Sequence, residues 1–219
     1  MSRLPKVYLL LSSVLILVFS SCRISKYKHL KQCSSVVLNT QHLLPVLKST
    51  NSVKYKATID VLKNHFSGLV ILKQTDSLSQ HIVFITELGM KMFDFEVKGA
   101  DINTVYVFEP MNKPNLISAL KRNFKNMILL DAYGRNSSAC TDKKSQKIYG
   151  LAREKESRYF TTFDGGKLLK QETFSKQKKE SLINYVYDSK TNGYSQITCK
   201  QYGLVKLYFE LNLIPPAND

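Results

Sequence analysis

One stretch of this chain has a helical period, and almost everything around it is cut into strand-length pieces. Leu116, Ile117, Leu120, Phe124, Met127 and Ile128 recur at steps of three and four, with Lys121, Arg122 and Lys125 on the other face. Pro114 follows Asn112-Lys113 and suits the first helical position. A helix with such a stripe, predicted over Pro114 to Leu130, must bury it against a partner. Five segments before it read as strands: Val53 to Val61, Phe66 to Lys73, His81 to Thr86, Met90 to Val97 and Thr104 to Phe108. Six follow: Lys147 to Ala152, Ser157 to Phe163, Lys167 to Phe174, Leu182 to Tyr187, Tyr194 to Lys200 and Leu204 to Leu211. In the first of these, Val53, Tyr55, Ala57, Ile59 and Val61 alternate with Lys54, Lys56, Thr58 and Asp60, which marks a half-buried strand. The expected fold is mainly β with one central α-helix, a curved antiparallel sheet of about eleven strands closed on one face by the helix.

Turn residues support these divisions. Asp164-Gly165-Gly166 is a hairpin signal, and Thr75-Asp76-Ser77, Lys190 to Gly193 and Gln201-Tyr202-Gly203 are weaker ones. Gly68, inside a strand pattern, marks a bulge or a close backbone approach. No period of 20–50 residues recurs. Leu129 to Asp142 reads as a loop.

The hairpin Gln80 to Val97 holds the least ordinary residue. Its turn is Glu87-Leu88-Gly89, where Gly89 permits the positive φ that tight turns use. Leu88 is apolar at a position where polar side chains prevail. Either it folds back onto the sheet or it projects as a finger toward an apolar surface; Glu87 beside it would keep any insertion shallow. On the second strand Phe93, Phe95 and Val97 share one face, and Met90 and Met92 fall on the other, followed by Asp94 and Glu96. Apolar residues on both sides of one strand fit a sheet with a packed side and a lipid-accepting side. They equally fit a core covered on both faces.

The N-terminus carries an address. Arg3 and Lys6 precede the apolar run Val7 to Phe19, and Ser20, Ser21 and Cys22 follow. The run is short for a spanning helix and has the layout of a secretory signal, with an uncleaved anchor as the alternative. Phe19-Ser20-Ser21-Cys22 resembles a bacterial lipobox, with Phe19 and Ser21 in place of its usual Leu and Gly or Ala. The resemblance implies that residues 1–21 are removed and that Cys22 becomes an acylated N-terminus, a covalent lipid and the sole prosthetic group expected. Arg23, rather than an Asp, follows it, which by the sorting rule of enteric-type lipoproteins favours the outer membrane over the inner. Residues 22–50 then form a lipidated start and a tether, with a short helix over Thr40 to Lys48, and residues 51–219 form one domain.

The whole chain has a net charge of +15; Arg3 and Lys6 are the only charged residues in 1–21, so the mature chain carries +13. Arg23, Lys26, Lys28 and Lys31 would lie against anionic headgroups next to a lipid anchor. The remaining lysines are dispersed, which describes a solvated basic surface better than a polyanion site, and nucleic acid is not an expected partner outside the cytoplasm. Cys33, Cys140 and Cys199 fit no zinc spacing. Cys140 and Cys199 could pair in an oxidising compartment, but isolated thiols are the simpler reading.

No catalytic motif is assembled. HExxH, GxSxG, SxxK and P-loop patterns are absent, and no metal site is expected. Asp94 and Glu96 sit two apart on a strand, a spacing that more often marks a solvated face than an acid–base pair. Cys140, beside Ser137-Ser138, has no neighbouring base in sequence. The chain is not expected to be an enzyme.

Five strands, a helix and six strands ending in a hairpin resemble the half-barrel of the bacterial lipoprotein-localisation proteins, LolA and LolB. The residues that carry the resemblance are Phe66-Ser67-Gly68, Ile82 to Gly89, the helix Pro114 to Leu130 and the closing hairpin Ser195 to Leu211. The match is closer to LolB, the outer-membrane receptor, whose strand leads into a Pro-Leu-Gly turn with a protruding leucine. Glu87 stands here in place of that Pro, and the family's tryptophans are missing. The resemblance implies a bacterial outer-membrane lipoprotein, lipid-anchored and facing the periplasm, that binds lipid or lipoprotein acyl chains. Leu88 and Gly89 would form its membrane-contact turn, and a soluble periplasmic carrier would be its partner. Candidates for the apolar cavity are Val70, Leu72, Val83, Ile85, Met92, Phe93, Phe95, Leu120 and Phe124. A monomer is expected. The alternative is a non-catalytic structural or protein-interaction lipoprotein of the envelope on the same fold.

Overall fold

The computed structural model describes Tyr27 and residues 34–37, 52–61, 63–75, 79–99, 101–128, 136–141, 147–152, 156–162, 167–191 and 193–215. Cys22, the leader, the helix expected over Thr40 to Lys48 and the Asp164-Gly165-Gly166 turn lie outside these residues.

Among the described residues thirteen strands form one antiparallel sheet. They are β1 (Ser34–Val37), β2 (Ser52–Val61), β3 (Asn64–Gln74), β4 (Ser79–Thr86), β5 (Lys91–Lys98), β6 (Asp101–Val107), β7 (Asn136–Thr141), β8 (Lys147–Ala152), β9 (Glu156–Thr162), β10 (Leu168–Ser175), β11 (Lys178–Asp188), β12 (Gly193–Gln201) and β13 (Leu207–Ile214). The order across the sheet is β1-β7-β8-β9-β10-β11-β12-β13-β2-β3-β4-β5-β6. The contact that joins the two halves is β13 against β2, from Leu207↔Val61 to Ile214↔Lys54. A 3₁₀ turn, Glu109–Met111, leads from β6 into helix α1 (Pro114–Met127).

The sequence reading is two strands short. Neither β1 (SSVV) nor β7 (NSSACT) has an alternating apolar pattern, so local pattern marks the first as tether and the second as loop. They pair with each other, Ser34↔Ala139 to Val37↔Asn136, and β7 continues the ladder onto β8. The backbone ladder reveals them where local alternation does not. β13 also starts later than the expected Leu204, because Gly203 (φ 121°) to Val205 belong to the turn. Cys140 and Cys199 do not pair: Cys140 is disulfide-bonded, whereas Cys199 is a buried free thiol.

β2 buries Tyr55, Ala57, Ile59 and Val61, the face its alternation assigned to the interior. Next to it Gly68 has no room for a side chain: a Cβ there would lie 2.0 Å from the Ile85 carbonyl oxygen on β4. Close approach, not a bulge, explains that glycine. α1 lies over the inner face and buries Leu116, Ala119, Leu120, Asn123, Phe124, Asn126 and Met127. A smaller apolar cluster sits on the opposite face of β8 to β10, where Tyr27 stacks on Tyr159 at 4.1 Å and meets Phe174 edge-on at 6.1 Å.

Candidate functional site

The interior between sheet and helix is a run of rings. Phe93 is the hub, 4.7 Å from Phe95, 5.6 Å from Phe84 and 5.6 Å from Phe124 of α1. Phe124 stacks in turn on Phe209 of β13 at 5.1 Å. Through it the helix touches both halves of the sheet, and these contacts add to simple area burial.

Seven of the nine candidate cavity residues come together here: Val70, Leu72, Met92, Phe93, Phe95, Leu120 and Phe124 are all buried in one cluster. Met92 arrives by a route the alternation did not foresee. β4 and β5 pair Phe84↔Phe93 and then Ile85↔Lys91, so Met92 is the extra residue of a β-bulge. A bulge re-aims its side chain, and Met92 joins Phe93 in the interior instead of facing away from it. Val83 and Ile85 are not brought to this interior. Their neighbours Ile82 and Phe84 point inward, opposite Phe95 and Phe93, so Val83 and Ile85 lie half-buried on the outer face.

Polar contacts tie the far half of α1 to the second half of the sheet. The Asn123 side-chain amide donates to the Ala119 carbonyl at 2.8 Å and to Gln201 Oε1. The Cys199 thiol donates to Asn123 Oδ1 at 3.5 Å. Arg122 pairs with Glu180 at 3.3 Å. The Tyr185 hydroxyl donates to the Met127 carbonyl at 3.1 Å, satisfying one acceptor at the helix end. Burial pushes the Tyr185 and Cys199 pKa values well up, which keeps both protonated as donors. None of these partners was assigned a role from sequence, although Asn123 was legible as a polar residue inside the apolar stripe, three after Leu120 and seven after Leu116.

On the outer face of β5, Asp94 accepts from His81 Nδ1 at 2.7 Å and lies 3.6 Å from Lys91. The hairpin turn is held by Gly89 N–H to the Thr86 carbonyl at 2.9 Å, Thr86 N–H to the Met90 carbonyl at 2.9 Å, and Glu87 N–H to the Ser67 carbonyl at 3.2 Å. Gly89 has φ 81°. Leu88 does not fold back: it is 92% exposed. A turn pinned this way presents the leucine on a fixed backbone. No helix among the described residues is long and apolar enough to cross a membrane.

The arrangement matches a known fold. A LolA superfamily protein from Nitrosomonas europaea superposes with a TM-score of 0.50 at 10% identity, over 82% of this chain and 92% of that one. The fold is LolA-like. Two further structures overlap less closely. One is a domain assigned to outer membrane lipoprotein sorting from Vibrio parahaemolyticus (TM-score 0.44, 8% identity, 74% of this chain and 83% of that one). The other is a DUF1329 family protein from Desulfovibrio piger (TM-score 0.42, 9% identity, 78% and 88%). No protein-family model matches the chain, and no curated sequence does.

Proposed function

We propose that this chain is an envelope lipoprotein, anchored through acyl chains on Cys22, that binds lipid or lipoprotein acyl chains between the sheet and α1 and aids lipoprotein insertion into the outer membrane. The observation that carries this reading is Leu88, held out in solvent on a hydrogen-bonded turn beside an apolar half-barrel. Leu88-Gly89 favours the receptor type, LolB, over the soluble carrier. The ring-lined interior supplies apolar surface for a chain of methylenes, each worth about 0.8 kcal/mol when buried. To admit one, α1 must shift away from the sheet, and the contacts of Asn123, Arg122 and Tyr185 are what that shift breaks. Binding of this kind needs no reaction chemistry, so the protein acts as a binder rather than an enzyme.

The test is Leu88→Glu in cells that depend on this protein. The variant folds and stays anchored, because Leu88 packs on nothing, yet lipoproteins accumulate away from the outer membrane. Normal sorting in that strain refutes the receptor role. Cys22→Ala should abolish metabolic acyl labelling; persistent labelling removes the anchor from the proposal. A second reading, a structural or protein-interaction lipoprotein, is favoured by the interior being occupied by its own side chains. A photoactivatable fatty acid separates the two: crosslinks at Phe93 or Phe124 support acyl binding, and crosslinks confined to the surface support the second reading.

A further inference from the structure

Two large apolar side chains exceed nine-tenths exposure among the described residues, Leu88 at 92% and Leu204 at 100%. The sheet register places both at one end of the molecule. Gln201↔Leu207 and Leu207↔Val61 put the β12–β13 turn, with Leu204 at its tip, beside the β2–β3 turn. Val61↔Asn64 and Gly68↔Thr86 then put the β4–β5 turn, with Leu88, at that same end. Four strand spacings separate the two turns, roughly 20 Å along the rim. Ser181↔Gln201 and Ser175↔Lys178 add the β10–β11 turn. Around the leucines stand the exposed lysines Lys63, Lys176, Lys178 and Lys206, against the exposed carboxylates Glu87 and Glu109. Among the described residues the other carboxylates near this end are engaged, Asp60 with His65 at 2.5 Å, Glu180 with Arg122, and Glu156, opposite Ser175, with Arg158 at 2.8 Å.

Two apolar tips inside a cationic collar are complementary to a bilayer with anionic headgroups: leucines enter the acyl boundary while lysines remain at the phosphates. We infer that Leu204 is a second membrane-contact residue and that the whole rim, not the Leu88 turn alone, docks on an anionic lipid surface. The inference rests on the membrane-contact reading of Leu88 and extends it to two points, which fixes the tilt of the sheet as one finger cannot. Tyr27 fits this orientation. It is held by Glu172, three residues along β10 from Ser175 at the rim, which is about 10 Å. Cys22 precedes Tyr27 by five residues, a reach of at most ~18 Å.

The test uses residues 22–219 with Cys22→Ser, so that neither an acyl anchor nor a thiol remains there, bearing an environment-sensitive nitrobenzoxadiazole group on Leu88→Cys, Leu204→Cys or, as a control on the outer face of β11, Val186→Cys. Cys199 is buried and Cys140 is disulfide-bonded, so neither competes for the label, and the same chain without an added cysteine gives the background from Cys33. Vesicles are phosphatidylcholine with or without phosphatidylglycerol. Expected is a blue shift and quenching by spin-labelled lipid at 88 and 204 but not at 186, on the anionic vesicles. Neutralising Lys176 and Lys206 with Lys176→Gln and Lys206→Gln should lower vesicle partitioning roughly thirtyfold. A label at 204 that stays in water while 88 enters the bilayer overturns this inference and leaves the Leu88 reading standing. Labels that both stay in water overturn both. Equal binding to neutral vesicles, with the lysine variants unaffected, overturns the role of the collar.

Discussion

Glu172 offers the sharpest quantitative test. Its carboxylate is 2% exposed on the outer face of β10. It accepts the Tyr27 hydroxyl and lies 2.6 Å from Lys179 and 3.5 Å from Lys170. Burial alone would raise its pKa; the hydrogen bonds from Lys179 and Tyr27 and the charges of both lysines outweigh that and bring it from 4.5 down to about 2. A carboxylate with a depressed folded-state pKa contributes stability that is whole above 4.5 and is lost as pH falls from 4.5 through about 2. The shift corresponds to about 3 kcal/mol in total, of which about 2 kcal/mol is gone by about pH 3. Glu172→Gln keeps the volume and an acceptor for Tyr27 but removes the titration. Urea unfolding of both proteins from about pH 7 down to about pH 3 yields the slopes. The wild type should lose about 2 kcal/mol more than the variant over that range. Equal losses would refute the assignment of this acid sensitivity to Glu172, and with it the view that an ion-pair cluster holds Tyr27 on the sheet.

Three further outcomes follow from the packing. Phe124→Ala removes the ring that bridges β5 and β13 and should lower stability by about 3–5 kcal/mol by denaturant unfolding; less than about 1 kcal/mol would mean the stack is not the core. Gly68→Ala drives a Cβ into the Ile85 carbonyl and should cost roughly 1–3 kcal/mol or more, visible as a lower Tm, whereas an unchanged Tm would deny the close approach. Cys199 should react with an alkylating reagent only as fast as the protein opens, because its thiol is buried and its pKa is pushed up; rapid native-state labelling would contradict that burial.

Local pattern was enough to lay out most of the elements. Alternation at Val53 to Val61 named the buried face of β2, and the three-and-four stripe named the side of α1 that packs, because periods of two and 3.6 are properties of the backbone itself. Leu88 stood out from its own turn chemistry. What the local pattern could not carry was anything set by a partner strand. β1 and β7 have no alternating apolar pattern and are strands through their pairing with each other and with β8. The bulge at Met92 is a mismatch of register between β4 and β5, invisible in either strand alone, and it turned that side chain from the outer face to the interior. Val83 and Ile85 went outward because Ile82 and Phe84 took the inner positions opposite Phe95 and Phe93. Tyr27, in a polar and basic stretch with no periodicity, is fixed by Tyr159 and Glu172, more than a hundred residues away. Leu204 reads as the start of a strand, and becomes a turn tip because the pairing of β13 with β2 begins only at Leu207. Apart from β1 and β7, the sequence by itself determined which segments are strands or helix. The closure of the sheet through β13 and β2 decided which end of the molecule carries the exposed leucines, since the position of a turn in space depends on the register of strands far apart in the chain.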